Sequence, residues 1–202
     1  MCSTARRYTQ LQVPIRGTRD YVHGTDVFTL FQHCLALESK FQVKALELKF
    51  SAPVTGCFDV EVSDSKTEAF HASPAQMWIK DDQGIHFVYI VPNQAGVVNL
   101  DSSRETCLSS QVIATNKIYS IAQQSSFSTI EKIVFINKAM LLELVDSVPE
   151  WFFGRLRLKN FNFETDYDVS LEISAIAGTG LASSDVYLNS RVSGDIVFLP
   201  RN

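Results

Sequence analysis

Asp20–Leu37, DYVHGTDVFTLFQHCLAL, decides how the rest of the chain is read. Its first seven residues, DYVHGTD, are polar and contain a glycine. The remainder places apolar side chains at Val27, Phe28, Leu30, Phe31, Cys34 and Leu35. That spacing builds one apolar stripe on a helix of period 3.6. Thr25 or Asp26 is the expected N-cap, because a side-chain oxygen there accepts an orphan backbone N–H. The helix is expected to run to about Ser39. Arg7–Ile15 alternates before it and reads as a strand, with Pro14 at an edge or strand end. Val43–Phe50 alternates after it, with Leu46, Leu48 and Phe50 on one face.

Downstream, Cys57–Val62 alternates again, and the short turn between Pro53 and Gly56 is expected to make a long hairpin of the two strands. Ser63–Pro74 is polar and reads as a loop. Gln76–Lys80 and Ile85–Val91 flank DDQG, a hairpin turn containing Gly84. Residues 93–110 lack periodicity and read as a linker; Gln111–Gln123 reads as one strand. Thr129–Val148 shows helical spacing again, with Ser128 or Thr129 as cap and Pro149 past its end. Phe153–Phe161, Tyr167–Ile176, Val186–Val192 and Ile196–Leu199 read as strands, with Gly194 in the last turn.

The two halves share an order of strand, helix and further strands. A shift of 110 residues places ALELK at Ala45–Lys49 on RLRLK at Arg155–Lys159. With one inserted residue, FDVEV at Phe58–Val62 falls on VSLEI at Val169–Ile173. The same shift carries the turn at Gly84 to Gly194 and Phe87 to Val197. A fixed offset implies a repeated unit. The expected organisation is residues 1–92 as one unit, 93–110 as a linker and 111–202 as a second. The fold class is α+β, with one curved antiparallel sheet of about ten strands around two central helices.

Composition narrows the function. The 202 residues carry a net charge of −4, which argues against a nucleic-acid or anionic-membrane partner. Cys2, Cys34, Cys57 and Cys107 form no CxxC and no Cys/His cluster, so no metal site is expected and the thiols suit a reducing, cytoplasmic setting. No secretory signal and no apolar run long enough to span a membrane is read. GxSxG, GxGxxG and the P-loop are absent, which argues against a serine hydrolase and against nucleotide cofactors. No cofactor is expected.

RGTRDYVHGTDVFTLF resembles the approach to the central helix of hotdog acyl-CoA thioesterases, where an Asp lies a few residues ahead of a Gly-His pair and a helix with aromatic residues. Here the order is His23-Gly24. KFSAPVTGCFDVEV resembles the hairpin that follows that helix, where a basic residue, a Pro and a Gly mark the turn. Two such units in one chain resemble a double-hotdog protein. The resemblance implies binding of acyl thioesters on CoA or on an acyl carrier protein. Hydrolysis or acyl transfer in lipid or polyketide-type metabolism leads. Dehydration of a 3-hydroxyacyl thioester is the enzyme alternative, and a non-catalytic acyl-binding or assembly protein is the other. A similarity to double-hotdog acyltransferase/decarboxylases of polyketide clusters makes Tyr21 a candidate acyl acceptor. Monomer and homodimer both stay open.

On this resemblance Asp20 is base or nucleophile, His23 the acid/base and Asp26 a further carboxylate at the helix start. Gly24 lets backbone approach the substrate, Thr25 fixes the loop and Phe28 lines an acyl tunnel. The plainer readings stand beside these: Asp26 only caps the helix, His23 is a solvent-exposed loop residue, and Asp20 pairs with Arg16 or Arg19. The second helix lacks His and Asp at its start; Asn137 is its candidate substrate contact, against a plain reading as a solvated surface residue.

Overall fold

The apolar stripe of Asp20–Leu37 forms helix α1 (Gly24–Ala36), whose Val27, Phe28, Phe31, Cys34 and Leu35 are all buried. The structure, a computed structural model, describes residues 5–11, 13, 15–16, 22–36, 43–55, 57–93, 99–100, 112–115, 118–121, 127–145, 150–163, 165–177 and 180–201. The expected extension of α1 to Ser39 lies outside them. The chain forms two compact units: Met1–Ser102 with Lys159–Phe163, and Ser103–Leu158 with Glu164–Asn202. Eleven of the described strands run in two antiparallel sets, five in the first unit and six in the second.

The first unit holds β1 (Arg6–Leu11), β2 (Ile15–Arg16), α1, β3 (Val43–Phe50), β4 (Cys57–Ser63), α2 (Glu68–Ala72), β5 (Ala75–Lys80), β6 (Ile85–Asn93) and β7 (Asn99–Leu100). Its sheet neighbours run β1-β4-β6-β5-β3, all antiparallel. β2 and β7 form a separate parallel pair. The second unit holds β8 (Ile113–Thr115), β9 (Ile118–Ile121), α3 (Thr129–Leu144), β10 (Trp151–Phe161), β11 (Val169–Ala177), β12 (Leu181–Leu188) and β13 (Arg191–Pro200). Its neighbours run β8-β9-β11-β12-β13-β10. In each unit the strand before the helix pairs with the second strand after it, and the strand directly after the helix lies at the far end of the run. That is the hotdog plan, present twice.

The repeat register is visible in burial. Leu46 and Leu48 are buried on β3, as are Leu156 and Leu158 on β10; Phe58 and Val60 match Val169 and Leu171. Several local expectations are corrected. β3 and β4 do not form a hairpin: β3 pairs with β5, and β4 pairs with β1 and β6. The last two strands are also exchanged between the units, since β6 pairs with β4 whereas β13 pairs with β10. The β4-to-β5 connection must then cross β6. Ser63–Pro74 is that crossover, not a plain loop, and its α2 buries Phe70 edge-on against Phe87 and Tyr89. The expected strand Gln111–Gln123 is two strands, β8 and β9, and α3 stops at Leu144 with Val145 as C-cap.

Gly194 is not in a turn. It lies inside β13, where a Cβ would meet the Arg157 carbonyl oxygen at 1.8 Å. The turn is Asn189–Ser190, both in the left-handed region at φ 49° and 62°. Two consecutive positive φ values are what a two-residue hairpin of this twist requires. The turn at Asp81–Gly84 does form: Asp81 Oδ1 accepts from the backbone N–H groups of Gln83 and Gly84 at 2.7 and 2.9 Å.

Candidate functional site

The start of α1 is built differently from the expectation. The helix begins at Gly24, and the carbonyl of His23 accepts the first helical bonds from Asp26 and Val27, at 3.0 and 3.1 Å. His23 is therefore the cap residue, while Thr25 and Asp26 lie in the first turn. This corrects the assignment of the N-cap to Thr25 or Asp26. The residue before the cap is fixed by its backbone, since Val22 N–H donates to the Val54 carbonyl at 2.8 Å. Val22 and Val54 are each 2% exposed, so this approach segment is sealed against the β3–β4 turn.

The seal carries polar groups inward. His23 is 8% exposed, which excludes its reading as a solvent-exposed loop residue. Thr25 is buried and its carbonyl accepts from Thr29 Oγ1 at 3.0 Å. Asp26 is half-buried, and its Oδ2 is removed from solvent. Gly24 is half-buried. A carboxylate in the first turn is favoured by the positive end of the helix. The backbone N–H groups of a first helical turn have no intrahelical partner and are available to an anion or a polarised carbonyl. Asp20 and Tyr21 lie outside the described residues.

Phe28 is buried one turn further along, tilted against Phe163 with ring centroids 5.9 Å apart. Phe163 in turn meets Phe161 edge-on at 5.3 Å. These rings give the start of α1 an aromatic wall drawn from the piece of chain, Lys159–Phe163, that joins the first unit.

The second unit has a polar set of its own. Asn137 is fully buried, which excludes its reading as a solvated surface residue. Its Oδ1 accepts from Ser184 Oγ at 2.6 Å, and its Nδ2 has no hydrogen-bond partner among the described residues. Lys132 is also fully buried and donates to Asp166 Oδ1 at 2.5 Å and to the Tyr167 carbonyl at 3.4 Å. Sequence reasoning did not single out Lys132 as a buried group. The signal for it exists: Thr129, Lys132, Ile133, Ile136, Asn137 and Met140 recur at helical spacing, so three polar residues, Thr129, Lys132 and Asn137, occupy core positions.

No protein-family model matches the chain, and no curated protein does. Similar solved structures include the 12:0-ACP thioesterase from Umbellularia californica, at 8% identity over 98% of this chain and 96% of that one, TM-score 0.44. An acyl-ACP thioesterase from Bacteroides thetaiotaomicron is 8% identical over 98% and 97%, TM-score 0.43. A monomeric dehydratase domain from a trans-AT polyketide synthase split module is 9% identical over 99% and 97%, TM-score 0.49. The strand order of the two units, rather than these likenesses, carries the hotdog assignment.

Proposed function

We propose that this double-hotdog chain binds acyl thioesters, on CoA or an acyl carrier protein, and cleaves or transfers the acyl group at the start of α1. The observation that supports it most is the buried His23 at the cap of that helix, with Asp26 in the first turn. A thioester carbonyl set against the first-turn N–H groups would be polarised as in an oxyanion hole. A carboxylate, Asp20 or Asp26, would take a proton from water as its oxygen attacks the carbonyl carbon. The C–S bond then breaks and His23 delivers a proton to the leaving sulfur. Gly24 leaves room for the thioester beside the backbone, Thr25 holds the turn, and Phe28 offers apolar surface to the acyl chain. Tyr21 is the acyl acceptor if transfer replaces hydrolysis. Asn137 belongs to the proposal as a donor inside the second unit, where its Nδ2 can hold a polar atom of a bound ligand.

The test is thiol release from a panel of acyl-CoAs and acylated carrier proteins. His23→Ala, Asp20→Asn and Asp26→Asn are each expected to lower the rate, and loss of the acid/base group by about 10²–10⁴-fold. Release that is unchanged in all three variants would sink the assignment. A reversible absorbance change with crotonyl-type thioesters and no thiol release would replace hydrolysis by dehydration. Tight binding without turnover would leave an acyl-binding protein.

A further inference from the structure

Ala182, Ser184, Val186 and Leu188 alternate along β12 and are all buried on the face that meets α3. Ser184 is opposite Ile173 of β11 and Ile196 of β13, and Ile196 is opposite Leu156 of β10. One hydroxyl thus interrupts an aliphatic row. It reaches Asn137, itself fully buried on α3, where the neighbouring Ile133, Ile136, Met140 and Leu141 are buried too.

The hydrogen-bond count of this pair is incomplete in a specific way. Ser184 Oγ donates its only proton to Asn137 Oδ1 at 2.6 Å, so the serine oxygen is left with acceptor capacity alone. Asn137 Nδ2 has no hydrogen-bond partner among the described residues. The pair therefore offers one N–H donor and one oxygen acceptor side by side. Exchanging the amide oxygen and nitrogen reverses the two roles and leaves the same sum of one donor and one acceptor. A methylene group meets neither, a carbonyl meets the donor alone, and a hydroxyl meets both. Because an unpaired donor is costly in apolar surroundings, the group that completes the pair is favoured over groups that do not. Neither side chain is an acid or base near neutral pH, so the pair holds a hydroxyl group without protonating it for elimination. We propose that Asn137 and Ser184 determine specificity for a hydroxylated acyl ligand bound under α3. The inference rests on the reading of this chain as an acyl-thioester protein and concerns the second unit by itself.

The test is titration calorimetry with decanoyl-CoA and its positional series of monohydroxylated and oxo analogues. One hydroxylated position is expected to bind about tenfold more tightly than decanoyl-CoA, the worth of one net hydrogen bond, with the oxo analogue of that position between them. The double variant Asn137→Leu with Ser184→Ala should lose the preference and bind decanoyl-CoA at least as tightly. Replacing both partners by apolar groups leaves no unpaired donor, so its thermal unfolding is expected to match or exceed wild type. If that variant does not fold, Ser184→Ala alone carries the test, since it removes the hydroxyl and adds no volume. Equal affinity across the series in wild type, or a preference that survives in a folded variant, overturns the proposal. His23→Ala should lose thiol release and keep the hydroxyl preference, so a failure of thioester cleavage and a failure of hydroxyl recognition are read separately. Absence of binding by every member overturns both readings.

Discussion

Lys132 shows how much one residue can cost or contribute according to its partner. It is fully buried, while Asp166 is half exposed. Removing the acid takes a counter-charge from a buried cation, whereas removing the lysine leaves a carboxylate that water can reach. Breaking a buried pair from the buried side's partner is the damaging direction. Asp166→Asn is expected to lower stability by about 1–3 kcal/mol, discounted for the exposure of the acid, and Lys132→Met by less than about 1 kcal/mol. Urea unfolding of the two variants checks the order.

Tyr89 gives the pH prediction at the same scale. Its hydroxyl donates to Glu61 Oε2 at 2.5 Å and accepts from Thr67 Oγ1 at 3.2 Å. Burial, then the Glu61 carboxylate, raises its pKa above the ordinary phenol value. A raised pKa means that the folded state holds the proton more tightly than the unfolded one. The contribution is complete below the ordinary value, about 10, and is lost as pH rises through the folded value. Tyr89→Phe should therefore lower Tm near neutral pH and flatten the fall of Tm above pH of about 10. An alkaline limb unchanged from wild type counts against this.

At the scale of elements, two residues of the β12–β13 hairpin are expected to respond in opposite directions. Gly194 has no room for a side chain against Arg157, so Gly194→Ala must push β13 from β10. Overpacking of this kind costs about 1–3 kcal/mol. Ser190 holds φ 62°, which glycine adopts without strain. Ser190→Gly is expected to gain up to about 1 kcal/mol, near 2–4 °C in Tm for a chain of this size. Thermal unfolding of both variants decides it. The same hairpin explains why the sequence points to the wrong turn: glycine marks turns so often that a glycine demanded by a neighbouring backbone looks alike. The α2 crossover is hidden for a related reason. Thr67 caps it, its side chain accepting from Phe70 N–H at 3.1 Å, but five residues give too short a helical period to read.

For the whole molecule, the first unit is not a contiguous piece of chain. It takes up Lys159–Phe163, which supplies Phe161 and Phe163 to the aromatic contacts around Phe28. A fragment ending at Ser102 lacks these residues and is expected not to reach a folded state by itself. Dispersed amide resonances from such a fragment would contradict this.

Local periodicity and near-neighbour chemistry make one group of features readable from the chain alone. These are the two helices, the alternating faces of β3, β4, β10 and β11, a cap at Ser128 or Thr129, which the structure gives to Ser128 with Glu131, and the turn at Asp81–Gly84. Each depends on residues within a turn or a few strand positions of one another. Strand pairing is settled only in three dimensions, because a strand's hydrogen bonds carry no side-chain label. There β5 and β6 are exchanged relative to β12 and β13, and Ser63–Pro74 becomes a crossover. Burial of polar groups is settled at the same level. The plainer readings of His23 and Asn137 put them at the surface and nothing singled out Lys132, yet all three are buried, held by backbone bonds and by neighbours such as Asp166 and Ser184.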